Sequence, residues 1–192
     1  MQGSKQVITL VTGNKNKLAE FQKLLGEAVT NQAVDLPELQ GEPEDIAKEK
    51  CRLAFKQIGK PVITEDTSLC FNAHKGLPGP YIKWYLDKLG PQGLSEMLDS
   101  YQDKTGYAQC IIAYMKQEFS EPLVFVGKVD GSIVRPRQKE GEKAFGWDPI
   151  FEPKESNGKT FAEMEKSEKN LISHRGRAVE KLVQYLKEQG QL

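Results

Sequence analysis

A short apolar run that ends in a glycine-containing turn constrains the fold of this chain most. Residues 7–11 are apolar or β-branched, and Thr12, Gly13 and Asn14 follow them directly. A continuous run of this kind is typical of a strand that is covered on both faces. Residues 17–25 then carry apolar side chains at helical spacing. The pattern therefore predicts a buried strand, a tight turn and an amphipathic helix in that order.

The rest of the hydrophobic pattern alternates between helices and strands. We expect strands at residues 33–36, 62–64, 107–115 and 123–134, helices at 43–58, 81–89, 94–98 and 163–187, and loops at 76–80 and 135–142. Pro43 suits the first turn of its helix, where acidic neighbours favour the positive helix end. No internal repeat or linker divides the sequence. This order predicts an α/β fold, a long central mixed β-sheet flanked by helices, in a single domain of residues 1–192.

Composition limits the classes of partner. The chain has 27 basic and 27 acidic residues and a formal net charge of zero, which argues against general binding to nucleic acid or anionic lipid. No apolar stretch approaches the roughly 18 residues of a membrane span, and residues 1–6 lack the pattern of a secretion signal. Cys51, Cys70 and Cys110 lie in apolar patterns without CxxC spacing. We therefore expect buried thiols, a cytoplasmic location, no nucleic acid and no membrane.

The turn after the first predicted strand has anion-binding character. Gly13 allows a turn that side chains would obstruct, Asn14 can cap a helix, and Lys15 and Lys17 follow. Helix N-termini and turn amides attract anions, and phosphate is the commonest such ligand. The sequence contains neither GxxxxGK[ST] nor GxGxxG, which excludes a standard P-loop or dinucleotide-binding fingerprint. The alternative is an ordinary strand-to-helix turn with surface lysines.

Two carboxylates, Glu65 and Asp66, follow the strand predicted at residues 62–64. Adjacent carboxylates at the end of a buried strand are costly unless they are paired or bind a metal. If this strand is parallel to residues 7–11, both turns meet at the sheet edge where ligands of open α/β sheets bind. Carboxylates that face lysines are typical of a magnesium–polyphosphate site, and Glu38 is a candidate third carboxylate. The alternatives are a solvated, helix-capping turn and, for Glu38, an ordinary loop glutamate.

Aromatic side chains surround a glycine later in the chain. Phe145, Gly146, Trp147 and Asp148 would suit a stacked base with a hydrogen-bond acceptor at its edge, and such stacking contributes about 1–3 kcal/mol per base. The alternative is a turn that places two aromatic rings in the core.

The last predicted helix contains a charge within its apolar stripe. Leu171, Ala178 and Leu182 belong to this stripe, and Arg175 lies near its middle. A buried guanidinium is costly without a partner, so Arg175 either lines a cleft or pairs with an acid. Lys169, Ser173 and His174 lie on the same turns, and Ser167 is the predicted N-cap residue. His74, by contrast, is expected to be an exposed loop residue.

Six motifs follow one another within residues 7–186, namely TGNKNK, DLPELQGEP, EDTSLCF, GLPGPYIKW, FGWDPIF and AEMEKSEKNLISHRGRA. In this order they resemble the Ham1-like inosine triphosphate pyrophosphatase family, and the eukaryotic members most closely. The resemblance implies hydrolysis of inosine, deoxyinosine and xanthosine triphosphates to the monophosphate and pyrophosphate. It further implies a homodimer that depends on Mg²⁺, with Mn²⁺ as an expected substitute, and two lobes around a nucleotide-binding cleft.

The same resemblance implies a role for each motif residue. The phosphates would be bound by Thr12, Gly13, Asn14 and Lys17, helped by Lys50 and Lys83, and Glu38 and Asp66 would bind the metal. We add Lys15 and Thr67 to the substrate-binding residues. We further expect that either Asp66 or Glu65 orients or deprotonates the attacking water and that Lys17 stabilises the developing charge. The base would be stacked and read by Phe145, Gly146, Trp147, Asp148, Lys169, Ser173, His174 and Arg175. A 6-oxo purine presents an acceptor to the donors of Arg175 and His174, where adenine presents a donor.

Three other functions remain open from the sequence. A nucleotide sensor would bind without hydrolysis, and pyrophosphate release distinguishes the two. A single-stranded RNA-binding module would use Phe145, Trp147 and the basic loop of residues 135–143, and its binding would depend steeply on salt. A related pyrophosphatase could act on pyrimidines or modified bases, which a substrate panel would identify.

Overall fold

A mixed β-sheet forms the centre of the protein in the computed structural model, which describes residues 7–118 and 120–192. In chain order the elements are β1 (Ile8–Val11), α1 (Lys15–Leu25), β2 (Val29–Gln32), α2 (Pro43–Ile58), β3 (Val62–Phe71), β4 (Pro78–Gly79), α3 (Ile82–Glu96), β5 (Thr105–Met115), β6 (Leu123–Ile133), β7 (Phe151–Pro153), α4 (Lys166–Ile172) and α5 (His174–Glu188). Within these residues the seven strands have the order β2-β1-β3-β5-β6-β7, with β4 beside β3. The five helices flank this sheet, which confirms the predicted α/β class.

The sheet is mixed because its neighbouring strands run in both directions. Strand β1 is parallel to β2 and to β3, with Leu10 opposite Ile63, which meets the condition under which the two segments end at the same sheet edge. Strands β4 and β7 are antiparallel to β3 and β6. Helix α2 begins at Pro43 and ends at Ile58, as predicted, and Gly59 closes it in the left-handed conformation.

Two strand predictions differ from the structure. The strand expected at residues 33–36 is wrong, because β2 lies at Val29–Gln32. Strand β2 pairs with all four residues of β1, and the last pair joins Val11 to Gln32. Strand β1 therefore has no further residue with which residues 33–36 could pair. The strand expected at residues 62–64 extends to Phe71, so Glu65 and Asp66 lie inside β3 rather than in a turn after it.

The helical predictions near the two aromatic segments have different outcomes. The two short helices expected at 81–89 and 94–98 correspond to the two parts of α3, which are separated by a kink at Gly90, where the backbone is non-helical with a φ of 65°. The single helix expected at 163–187 is divided into α4 and α5 at Ser173, which has extended backbone angles. Leu171 is consequently 82% exposed rather than part of the buried stripe, because the helical phase does not continue across Ser173.

Two smaller predictions are also wrong. Ser167 lies inside α4, whose N-cap residue is Glu165, and Glu165 makes no side-chain capping hydrogen bond. His74 is half-buried instead of exposed, because its ring packs 4.9 Å from the ring of Tyr101 and 5.8 Å from that of Phe71.

The described chain divides into two compact units. Unit 1 comprises the residues up to Asp66, Ile111–Val126 and Ala178–Leu192, and unit 2 comprises Thr67–Cys110 and Gly127–Arg177. Strands β3, β5 and β6 and helix α5 therefore each contribute residues to both units. That residues 1–192 act as a single domain stays a prediction.

Each unit has its own hydrophobic core. In unit 1, the small side chains Ala47, Cys51 and Ala54 of α2 pack against Val62 and Ile111. Small residues on a helix face let its backbone approach a sheet closely. In unit 2, the core is formed by larger residues, among them Phe71, Trp147, Phe151 and Phe161.

Two expectations from composition concern buried and membrane-spanning segments. Cys51, Cys70 and Cys110 are free and buried, which confirms the expected environment of the thiols. Among the described residues, no helix is both long enough and apolar enough to span a membrane. The expectation that residues 1–6 carry no secretion signal lies outside the described residues.

Candidate active site

The turn between β1 and α1 is built by two side-chain caps. The Asn14 N–H donates to Thr12 Oγ1 at 3.0 Å, and Asn14 Oδ1 accepts the Lys17 N–H at 3.3 Å. Asn14 therefore caps α1, as its residue type predicts. The first turn of α1 contains lysines and no acidic residue, so the positive helix end is not neutralised by its own helix. This end has the electrostatic character of an anion site.

The backbone at Gly13 is accessible. A Cβ added there would have no atom within 4 Å, and the φ angle of Gly13 lies outside the left-handed region. The prediction that a side chain would obstruct this turn is therefore wrong for the protein alone. The open space instead lets a ligand approach the backbone of the turn closely, which a side chain at this position would prevent.

Lys17 and Glu65 form an ion pair in unit 1. The Lys17 ammonium contacts the Glu65 carboxylate and also lies 3.4 Å from the Glu65 carbonyl oxygen. The Glu65 side chain is only 2% exposed. A buried carboxylate needs a cationic partner, because an uncompensated buried charge is strongly destabilising. Lys17 supplies that partner from the first turn of α1.

Two predicted metal ligands approach the same lysine. Lys50 Nζ lies 2.7 Å from Asp66 Oδ1 and 4.0 Å from Glu38 Oε2. Asp66 Oδ2 is buried and has no hydrogen-bond partner within residues 7–118 and 120–192. A buried oxygen of this kind is costly unless a donor or a cation satisfies it. Glu38 and Asp66 therefore both lie next to a point where a positive charge is favoured.

This pair of carboxylates fits Mg²⁺. Proteins usually bind Mg²⁺ through one or two carboxylates, and waters and substrate phosphates complete the octahedron. In the described part of the chain, no group of three or more His, Cys, Asp or Glu side chains is placed to hold a metal. The side chains present can therefore anchor Mg²⁺ but would leave most of its coordination positions to phosphate and water.

In unit 2, Ser173 joins α4 to α5. Its N–H donates to the Lys169 carbonyl oxygen at 2.8 Å, and its Oγ accepts the Gly176 N–H at 3.0 Å. Ser173 therefore ends one helix and caps the next. This junction places Arg175 in the first turn of α5, where it is only 8% exposed and lies 3.4 Å from Thr67 Oγ1.

An aromatic cluster surrounds His174 next to this junction. The buried His174 ring lies 5.4 Å from the Trp147 ring and 5.9 Å from the Phe161 ring, between centroids. Asp148 Oδ2 accepts a hydrogen bond from Lys169 Nζ at 2.5 Å, and that ammonium lies 5.0 Å from the Phe161 centroid. The structure thus brings Trp147, Asp148, Lys169 and His174 together, as their predicted shared role requires.

Two predicted residues of unit 2 are exposed. Phe145 is 51% exposed and precedes Gly146, whose φ of 57° places the chain in the left-handed region. An exposed ring next to the buried Trp147 is available for stacking. Lys83 lies on α3, with its Nζ 5.4 Å from the ring centroid of the neighbouring Trp84.

Comparison with known proteins assigns the family. The Ham1 family model matches residues 8–185. The chain belongs to the Ham1 family. Inosine triphosphate pyrophosphatase from Ajellomyces capsulatus is 54% identical over 185 residues, which are 95% of this chain and 98% of that protein. The same-named protein from Emericella nidulans is 52% identical over 183 residues, which are 94% and 97% of the two chains.

A solved structure extends this likeness to the fold. The HAM1 protein of Coxiella burnetii superposes with a TM-score of 0.84 and is 34% identical. The comparison covers 95% of this chain and 99% of that structure. The motifs of this Ham1 family chain thus lie on the fold of a known family member.

The predicted site residues of this Ham1 family chain separate by unit. Unit 1 contains Thr12, Gly13, Asn14, Lys15, Lys17, Glu38, Lys50, Glu65 and Asp66. Unit 2 contains Thr67, Lys83, Phe145, Gly146, Trp147, Asp148, Lys169, Ser173, His174 and Arg175. The phosphate and metal roles therefore belong mostly to unit 1 and the base-reading roles to unit 2, and each individual role stays a prediction.

Sequence reasoning missed two residues of unit 2. Phe161 contacts both Trp147 and His174 and belongs to a short turn closed by a capping box between Thr160 and Glu163. The signal that could have found it is the Thr-x-x-Glu spacing around a large aromatic residue. Gly176 was missed because its requirement comes from the α4–α5 junction, which the sequence pattern did not predict.

Proposed function

We propose that this protein hydrolyses the non-canonical purine nucleoside triphosphates ITP, dITP and XTP to the monophosphate and pyrophosphate. It thereby removes deaminated purines from the nucleotide pool. The two fungal relatives named inosine triphosphate pyrophosphatase match nearly the whole chain. The structural observation that carries the proposal is the approach of Glu38 and Asp66 to Lys50 in the unit that also holds the capped turn.

The reaction follows from the charges of unit 1. The water oxygen bonds to the α-phosphorus, the bond from that phosphorus to the bridging oxygen breaks, and pyrophosphate leaves with added negative charge. Lys17 and Lys50 stabilise that charge, and the turn amides around Gly13 bind phosphate oxygens. Glu38 and Asp66 would hold Mg²⁺, which when bound would polarise the phosphoryl oxygens. An acidic side chain, Asp66 or Glu65, orients the water or accepts its proton.

Discrimination against adenine follows from the donors of unit 2. A 6-oxo purine offers an acceptor to the guanidinium of Arg175, whereas adenine offers an amino donor at the same position. A site built to donate hydrogen bonds discriminates strongly against an analogue that leaves its donors unpaired. Phe145 stacks on the purine ring. Trp147 and Phe161 hold His174 in place beside Arg175.

A panel of nucleotides tests this function. The protein with Mg²⁺ is incubated with equal concentrations of ITP, dITP, XTP, ATP, GTP and CTP, and released pyrophosphate is measured. Fast release from the first three and slow release from the others supports the proposal. Binding of ITP without release would indicate a sensor, and preference for CTP would indicate a different pyrophosphatase.

The metal, assembly and location belong to the same proposal. Mg²⁺ is the working ion, and Mn²⁺ substitutes for it because it prefers similar oxygen ligands. Helix α3 supports a homodimer, because Trp84, Tyr85 and Leu89 are exposed on it and aromatic residues are enriched at protein interfaces. The free, buried thiols favour a reducing compartment, the cytoplasm.

Two measurements test assembly and location. Light scattering after gel filtration should give twice the monomer mass, and Trp84→Glu should reduce it to the monomer. A monomeric wild-type protein would contradict the homodimer. Cell fractionation of the tagged protein tests the cytoplasmic location.

A further inference from the structure

We infer that Glu65 is a positioning residue, which fixes the Lys17 ammonium for the triphosphate and takes no proton from the attacking water. The inference rests on the proposed function, and it assigns different roles to the adjacent carboxylates Glu65 and Asp66. Three observations within unit 1 carry it: the contacts of Lys17, the burial of Glu65 and the different contacts of Asp66.

Lys17 is held at two points by the same residue. Its ammonium pairs with the Glu65 carboxylate and lies 3.4 Å from the Glu65 carbonyl oxygen. Its backbone N–H is held by the Asn14 cap. An ammonium has three N–H donors, so these two contacts to Glu65 leave donor capacity for a phosphate oxygen. A long, flexible side chain that is anchored at both ends loses little further freedom when a phosphate binds.

Glu65 is too enclosed to act on a water molecule. Its side chain is 2% exposed, whereas that of Asp66 is 28% exposed. A general base must reach the proton that it abstracts directly or through one water. The carboxylate of Glu65 is instead enclosed and paired with the Lys17 ammonium.

The neighbouring Asp66 faces a different helix. Consecutive residues of a strand point to opposite faces, and β3 is continuous across this pair. Glu65 accordingly contacts Lys17 from α1, and Asp66 contacts Lys50 from α2. The two carboxylates therefore have separate environments and separate roles, with only Asp66 sharing its lysine with Glu38.

A double-mutant cycle tests the inference. Glu65→Gln, Lys17→Met and the double variant are compared with wild type for kcat and KM in pyrophosphate release from ITP. Glu65→Gln should lower kcat/KM by roughly tenfold or more in the wild-type background. It should change kcat/KM less than about twofold in the Lys17→Met background, because a residue that acts through Lys17 has no effect without it. An equal loss in both backgrounds would overturn the inference and make Glu65 an independent catalytic group.

Stability provides a second readout. Lys17→Met removes the cation that is paired with the buried Glu65 carboxylate, so the double variant should melt at a higher temperature than Lys17→Met alone. A double variant that melts lower than Lys17→Met would contradict the ion pair. If Lys17→Met does not fold, the cycle is measured with Lys17→Gln, which keeps a polar end at this position.

Matched controls separate the inference from the proposed function. Glu121→Gln removes the acid of another ion pair in unit 1, with Arg52, and should leave kcat/KM within about twofold of wild type. Inorganic tripolyphosphate is the second probe, measured by calorimetry without turnover. If no purine triphosphate is hydrolysed, the proposed function fails, but Glu65→Gln should still weaken tripolyphosphate binding only when Lys17 is present. Weakening in both backgrounds, or in neither, would reject the positioning role.

Discussion

The backbone of Gly176 packs so closely against Asn170 that an added Cβ would lie 2.2 Å from the Asn170 carbonyl oxygen. No real Cβ tolerates that distance, and the atom in the way belongs to the backbone of α4. We therefore expect Gly176→Ala to force the α4–α5 junction apart and to lower stability by roughly 1–3 kcal/mol. Urea unfolding of the purified variant measures this loss.

Gly13→Ala is the matched control for that prediction. Its Cβ would have open space around it, so the free energy of unfolding should be close to that of wild type. Pyrophosphate release should nevertheless fall, because the methyl group would lie where we expect phosphate to approach the turn. A Gly176→Ala protein as stable as Gly13→Ala would contradict the close packing.

Arg175→Ala should reduce discrimination between ITP and ATP. Arg175 is buried beside Thr67, and a hydrogen bond from a charged donor contributes roughly 1.5–3 kcal/mol, or about 10–150-fold. The ratio of kcat/KM for ITP to that for ATP should fall by this factor. Arg177→Ala is the control on the same helix, since Arg177 pairs with the exposed Glu155 instead. Equal preference in wild type and Arg175→Ala would remove Arg175 from base recognition.

Removal of either proposed metal ligand should raise the Mg²⁺ requirement. Asp66→Asn and Glu38→Gln each remove one of the negative charges that converge on Lys50. The Mg²⁺ concentration for half-maximal rate should rise by roughly tenfold or more in each variant. Glu44→Gln, which changes an acid in the first turn of α2, should leave this concentration unchanged. A wild-type Mg²⁺ titration curve in both ligand variants would refute the assignment.

Cys51 should make stability depend on pH in the alkaline range. Burial raises the pKa of the Cys51 thiol from 9.0 to about 12. The unfolded thiol ionises near pH 9 while the folded thiol stays neutral, so the free energy of unfolding falls as the pH rises from 9 to 12. Cys51→Ala should show a shallower fall over the same range in urea unfolding. An identical slope for both proteins would show that Cys51 does not contribute.

Local sequence patterns predicted many of the helices and strands, whereas the elements that they missed depend on contacts between distant segments. The proline and acidic residues at the start of α2 and the apolar run of β1 produced the predicted elements because each signal is local. The strand expected at residues 33–36 failed because the length of β1 ends the ladder at Gln32. The break at Ser173 was missed because the hydrophobic period looks continuous across it.

The candidate site shows the same division. The residues of the candidate site could be recognised in the sequence, since a polar turn after a buried strand, adjacent acids and an arginine within an apolar stripe are unusual in any sequence. The pairing of Lys17 with Glu65 and of Lys50 with Asp66 was not, because it depends on which helix packs on which face of β3. Aromatic contacts such as Phe161 with His174 likewise depend on the packing of distant segments.

The placement of the two tryptophans has a practical consequence. Trp84 and Trp147 both belong to unit 2, the first about half exposed and the second buried against Phe161 and His174. Tryptophan fluorescence during a denaturant titration will therefore report the unfolding of unit 2 and will report little of the unfolding of unit 1. Comparison with circular dichroism, which detects every helix, would reveal whether the two halves of the molecule melt together or in succession.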